Sequence, residues 1–165
     1  MRQIAFAHQL LSGGALAAAT WLRADKTVAA GHSIVASASG AGQFTIGGEL
    51  RSIRFVAHRD STDSSLGQAE LFSHSTGIWF HMEIDCLVVA GSAATMSGTI
   101  TRANAAGDEF VDAPFQFQVI DNGEGNHARP DLISAIFIGL GTNVPSTDPS
   151  LNATITVERG SIRVH

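Results

Sequence analysis

At 165 residues with 44% apolar content, the chain fits one small, soluble domain with enough hydrophobic side chains to bury a core. A charged fraction of only 15% beside 17 glycines argues against a charge-laced helical bundle and for turn-rich β structure. The net charge of -5, the single lysine (Lys26) and the scattered arginines argue against nucleic acid, while the lone cysteine, Cys86, excludes an intrachain disulfide and a cysteine-based zinc site.

Residues 1–30 have the layout of a secretory signal peptide. Arg2 gives a basic start, Leu10 to Leu22 an alanine- and leucine-rich stretch, and Val28-Ala29-Ala30 a small-residue cleavage site. His8, Gln9 and Ser12-Gly13-Gly14 break the run, which is too short and interrupted for a transmembrane span. The competing reading is a helix that packs on the domain or a neighbouring subunit. The expectation is therefore a signal-like or helical segment at 1–30, a single β domain at 31–165, and a secreted or periplasmic location.

From Ile34 the apolar period becomes two, the strand period. Candidate strands are Ile34–Ser39, Gln43–Ile46, Arg51–His58, Gly67–Ser73, Ile78–Ile84, Ala94–Arg102, Pro114–Asp121, Asp131–Ile138, Leu151–Val157 and Ser161–Val164. About 8–10 short antiparallel strands separated by turn residues predict an all-β barrel or sandwich. In Arg51–His58 the core face is Ile53, Phe55 and Ala57; Arg54 belongs to the wet face.

One hairpin can be registered by pairing logic. A four-residue loop from His74 to Gly77 sets Leu71 opposite Phe80 and Ala69 opposite Met82 on one face. The other face then pairs Phe72 with Trp79, Glu70 with His81 and Gln68 with Glu83. A three-residue loop would oppose Leu71 to His81, so the even loop is favoured. Farther on, adjacent Cys86 and Leu87 break the alternation, through either a strand buried on both faces or a β-bulge. Gly91-Ser92 reads as a turn. The longest irregular segment is Arg102 to Ala113, and a second, acidic one runs from Asp121 to Asp131.

The stretches Gly91-Ser-Ala-Ala94 after Leu87-Val-Val, Ser97-Gly98, Asp121-Asn-Gly-Glu-Gly125, Asp131-Leu-Ile-Ser134 and the closing Glu158-Arg-Gly-Ser-Ile-Arg-Val-His165 carry a resemblance. Over roughly Ser39 to His165 the chain is similar to uncharacterised secreted bacterial β-domains and resembles the small module called post-COAP-1. The resemblance implies export and an all-β fold, and it transfers no catalytic residue.

Four places have side chains suited to chemistry. Phe72 and Trp79 suggest a platform for a sugar, another apolar ligand or a partner if their face is outward. If that face lines a barrel interior, Gln68, Glu70, His81, Gln116 and Gln118 would join it around a polar cavity. The alternative for these rings is burial under a second layer or the N-terminal segment, which offers Phe6, Leu10, Leu11 and Trp21. His81 with Glu70 or Glu83 would form an acid–base pair inside such a cavity. His58, His74 and His81 fall near one sheet, where convergence with a carboxylate would bind zinc or iron, although surface histidines on a polar β face are the commoner case. Asp121, Asn122, Glu124 and Asp131 are oxygen ligands of the calcium type on a glycine-containing loop, although an ordinary strand-to-strand turn explains them as well. Cys86 in an apolar run reads as a small hydrophobe. Neither a nucleophile elbow nor a phosphate-binding loop occurs. The sequence thus favours an exported, non-catalytic β module that binds a small molecule, glycan or protein, or assembles with its own copies, and needs no cofactor. A small barrel enzyme is the alternative.

Overall fold

The computed structural model describes residues 32–125, 128–139 and 152–165. The signal-like segment at 1–30 lies outside these residues. Ten strands follow in order: β1 Ile34–Ile46, β2 Glu49–Asp60, β3 Ser65–Ser73, β4 Trp79–Ala90, β5 Ala93–Ala103, β6 Pro114–Ile120, β7 Leu132–Ile133, β8 Phe137–Ile138, β9 Ile155–Thr156 and β10 Arg159–Val164. A single 3-10 turn, Asp108–Phe110, interrupts the β5–β6 connection. All pairings are antiparallel, and the sheet order is β10-β1-β2-β3-β4-β5-β6-β7-β9, with β8 also on β6. Among the described residues no helix is long and apolar enough to cross a membrane.

The sheet curls into a half-barrel, and its inner side chains show why. Phe55 on β2 meets Phe117 on β6 edge-on at 5.6 Å, although β3, β4 and β5 separate those strands in the sheet. Only a curled sheet brings such positions together. Phe44, Met82, Leu87, Met96, Ile100, Phe115, Phe117, Val119 and Ile133 fill the concave side with almost no exposure. Four successive inward positions of β1 are small (Ala36, Ala38, Gly40, Gly42), and a Cβ at Gly40 would come within 3.0 Å of both the Phe55 ring and Ile162. Small residues on one strand thus make room for large rings on its neighbours, which is how a tightly curved core reaches native packing density. Phe110 stacks edge-on against Phe80 at 5.7 Å and packs against the core from the β5–β6 connection.

The 67–84 hairpin has the expected register: Leu71 faces Phe80, Ala69 faces Met82, Phe72 faces Trp79 and Glu70 faces His81. The loop is the four-residue one, with the Ser73 N–H bonded to the Ile78 carbonyl at 2.9 Å. At Cys86 the pairing to β5 shifts phase between Ile84 and Cys86, so the break in alternation is a β-bulge. Gly91-Ser92 is a two-residue turn between paired Ala90 and Ala93, with Gly91 at φ 62° in the first central position, where type II′ geometry calls for glycine. Three expectations need correction. The two strands read at 34–39 and 43–46 are one, because Gly40-Ala41-Gly42 continues the ladder. The strand read at 131–138 is broken between β7 and β8: Ser134 Oγ accepts the Gln118 N–H at 2.9 Å and donates to the Ala135 carbonyl. Of the strand read at 151–157, only Ile155–Thr156 is paired.

The seam of the half-barrel is closed by one segment and two carboxylates. β9 adds to β7, and the chain then steps across to β1 as β10; the Val157 N–H bonds the Asp131 carbonyl at 2.9 Å and the Glu158 N–H bonds the Gln43 carbonyl at 2.8 Å. Gly160 sits at φ 109°, and a Cβ there would lie 1.9 Å from the Ala41 carbonyl oxygen, so only glycine permits this approach. Among the described residues, no strand pairs with the side of β10 away from β1. Instead Asp131 Oδ2 accepts the Ile162 N–H at 2.7 Å and Asp121 Oδ2 accepts the Val164 N–H at 3.0 Å. Each carboxylate also holds its own loop, with Asp131 Oδ1 on the Asn122 N–H at 2.9 Å and Asp121 Oδ1 on the Gly123 N–H at 2.7 Å.

Asp131→Ala should cost about 2–4 kcal/mol, because it removes the charged acceptor of two backbone N–H groups. Urea unfolding would show this as a lower midpoint at unchanged slope; a loss under about 0.5 kcal/mol would mean water replaces the carboxylate.

Candidate ligand groove

Since Ala69, Leu71, Phe80 and Met82 take the core, strand alternation puts Phe72, Glu70, Trp79 and His81 on the outer, convex face. Phe72 and Trp79 are cross-strand neighbours and both half-buried. They form one wall of an open groove of about 640 Å³ that continues over Glu70, Arg54 and Ser52 to Gln43 and Arg159. That size falls in the range of small-ligand sites. The register explains the assembly, because Ser52 pairs with both Gln43 and Phe72, and Gln43 also pairs with Arg159 on β10. Gly42 and Gly160, directly paired, contribute backbone to the far wall.

The platform is held firmly. The Trp79 N–H bonds Asn104 Oδ1 and its carbonyl accepts the Asn104 N–H, both at 3.2 Å, while Asn104 Nδ2 ties back to the Gly77 carbonyl at 2.7 Å. Trp79 also stacks near-parallel on His81, with ring centroids 6.3 Å apart. Phe72 packs edge-on against His74 at 4.9 Å, and His74 Nε2 lies 2.8 Å from Ser52 Oγ. Gln43 Nε2 donates to the same hydroxyl at 3.4 Å. A Ser–His contact of this length is within reach of proton transfer, but among the described residues no carboxylate orients the His74 ring. The pair therefore builds a polar wall.

Beneath the rings, Arg54 and Glu70 are paired: Arg54 Nε donates to Glu70 Oε2 at 2.8 Å and its Nη2 donates to the same oxygen. His81 Nδ1 stands 3.6 Å from Glu70 Oε1. Burial raises the Glu70 carboxyl, but the hydrogen bonds and charge of Arg54, helped by Trp79 and His81, outweigh it and hold the group below its ordinary value of 4.5.

The sequence-predicted residues divide sharply. Phe72, Trp79 and Glu70 share the groove. Gln68 pairs with Glu83 one row away and does not line it; Glu83 is exposed, and His81 is buried behind Trp79. His81, Glu70 and Glu83 thus do not converge in a concave pocket. Gln116 and Gln118 lie on β6, three strands from β3, and take no part. Gln118 is engaged with Thr95 Oγ1 and the Ala153 N–H, and Gln116 is buried. The polar interior cavity expected as an option is instead packed with aromatic and aliphatic side chains. Asp121 and Asp131 hold β10, Asn122 Nδ2 bonds the Pro130 carbonyl at 2.6 Å, and Glu124 pairs with Arg163 at 2.6 Å. Among the described residues no three His, Cys, Asp or Glu side chains gather as a metal site. Desolvation pushes the half-buried Cys86 thiol up, which keeps it protonated at neutral pH.

Ser52, Gln43, Arg54 and Arg159 were missed. Arg54 was within reach, because opposite charges on facing strands pair and Glu70 was already placed. Arg159 carried no local signal.

Because the folded Glu70 carboxyl titrates below its unfolded value, its stabilisation is complete above about pH 4.5 and is lost as pH falls through the lowered value. Glu70→Gln should flatten that acid limb of the melting-temperature profile and cost about 0.5–1 kcal/mol at neutral pH, the scale of a partly exposed pair. An unchanged acid limb would show that the pairing with Arg54 contributes nothing. No protein-family model, curated protein or solved structure matches this chain, so the resemblance to the post-COAP-1 module rests on its sequence pattern alone.

Proposed function

We propose that this domain is an exported, non-catalytic module that binds a saccharide on the outer face of its sheet. The observation that carries this reading is the pairing of Phe72 and Trp79 beside fixed polar groups in one open groove. Sugar rings present an apolar C–H face and a rim of hydroxyls. An aromatic side chain takes the first, and planar donors and acceptors such as Arg54, Glu70 and Gln43 take the second. The Asn104 clamp on Trp79 supports the same reading, because a platform ordered beforehand loses little entropy on binding. Acid–base catalysis lacks comparable support: Glu70 is committed to Arg54 and Glu83 lies outside the groove.

Screening the full chain against an oligosaccharide array, followed by calorimetry on the best binder, tests the reading. Trp79→Ala should weaken that binding about tenfold, equivalent to about 1.4 kcal/mol, while the fold persists by circular dichroism. An array without a binder, or a Trp79→Ala variant that binds as well as the parent, would overturn it. Export is part of the same proposal and rests on the signal-like pattern of residues 1–30. N-terminal sequencing of protein recovered outside the cytoplasm should begin near Gly31; an intact Met1 on that material speaks for the packed-helix alternative.

A further inference from the structure

Building on the saccharide reading, we infer that the groove selects an acidic oligosaccharide, with sugar rings on Trp79 and Phe72 and a ring carboxylate on Arg159. The groove's charges are Arg54 (+1), Glu70 (−1) and Arg159 (+1), which sum to +1 on a chain whose total is -5. Arg54 and Glu70 are joined by hydrogen bonds. Arg159 is exposed, and among the described residues no hydrogen bond or ion pair engages its side chain. A guanidinium offers a planar fork of donors that matches a carboxylate in two-point fashion. A positive site on an otherwise acidic surface also draws anions selectively.

The spacing favours an oligomer over a single sugar. Arg159, Gln43, Ser52, Phe72 and Trp79 occupy one continuous cross-strand row over β10, β1, β2, β3 and β4. Four interstrand steps of about 4.8 Å put the Arg159 backbone about 19 Å from the Trp79 backbone, measured across the strands. The row between them holds an amide and a hydroxyl, both able to meet sugar hydroxyls.

Calorimetry on the full chain with an oligogalacturonate and a neutral malto-oligosaccharide of equal length provides the test, at low and high salt. The oligogalacturonate should bind about tenfold more tightly, the difference should shrink at high salt, and Arg159→Gln should abolish it. Equal affinities for the two sugars, independent of salt, would overturn the acidic reading and leave the saccharide reading standing. No binding of either, joined to an empty array, would overturn both. Tighter binding of a polyglutamate peptide than of the oligogalacturonate would move the site to acidic proteins and also overturn the proposal. The salt series on the unmutated chain decides the matter even if Arg159→Gln fails to fold.

Discussion

Two aspartate carboxylates hold the architecture closed. A curled sheet ends in two edges, and an edge strand presents backbone N–H and carbonyl groups with nothing to bond. Here Asp131 and Asp121 supply the acceptors that a further strand would have supplied, taking the Ile162 and Val164 N–H groups of β10. A charged acceptor suits the place, because such bonds are stronger than neutral ones and no second backbone must be threaded into a tight seam. The same carboxylates fix the loop they come from. Edge protection, loop order and the position of β10 therefore depend on one small set of atoms. The groove inherits that dependence, since its far wall is β10.

Local pairing was legible in the sequence and distant pairing was not. The 67–84 hairpin could be registered because its two strands are adjacent in the chain and only one loop length matches apolar to apolar. Phe72 and Trp79 were found for the same reason. The β1 stretch Ser-Ala-Ser-Gly-Ala-Gly hid a continuous strand, because its inward positions are small, and their smallness makes sense only once Phe55 and Ile162 are seen to occupy the space. Asp121 and Asp131 read first as turn residues, with oxygen ligands as the alternative, since a sequence shows which groups accept but not what donates. Arg159 could be placed beside Gln43 only by a pairing more than a hundred residues apart in the chain.

The groove separates two kinds of order. Its polar base is internally satisfied: Arg54 with Glu70, Ser52 with His74 and Gln43. Satisfied groups hold their positions without a ligand. The aromatic wall is only half-buried, and the Arg159 side chain is exposed, so the contact energy still available lies with rings and one cation. In the proposed saccharide site, such a division would keep the surface ordered before binding and leave discrimination to a few side chains.

The pairing of β1 with β10 has a consequence for how the domain comes into being. Among the described strands these two are the first and the last in chain order, so the interval between them must be enclosed before their ladder can form, a large entropic cost that slows folding of such topologies. During synthesis β1 emerges well before its ladder partner β10. A nascent chain in that interval has its hairpins but no seam and no far wall to its groove. Of the described strands β10 is the last to be made, and its docking on β1 sets Arg159 beside Gln43.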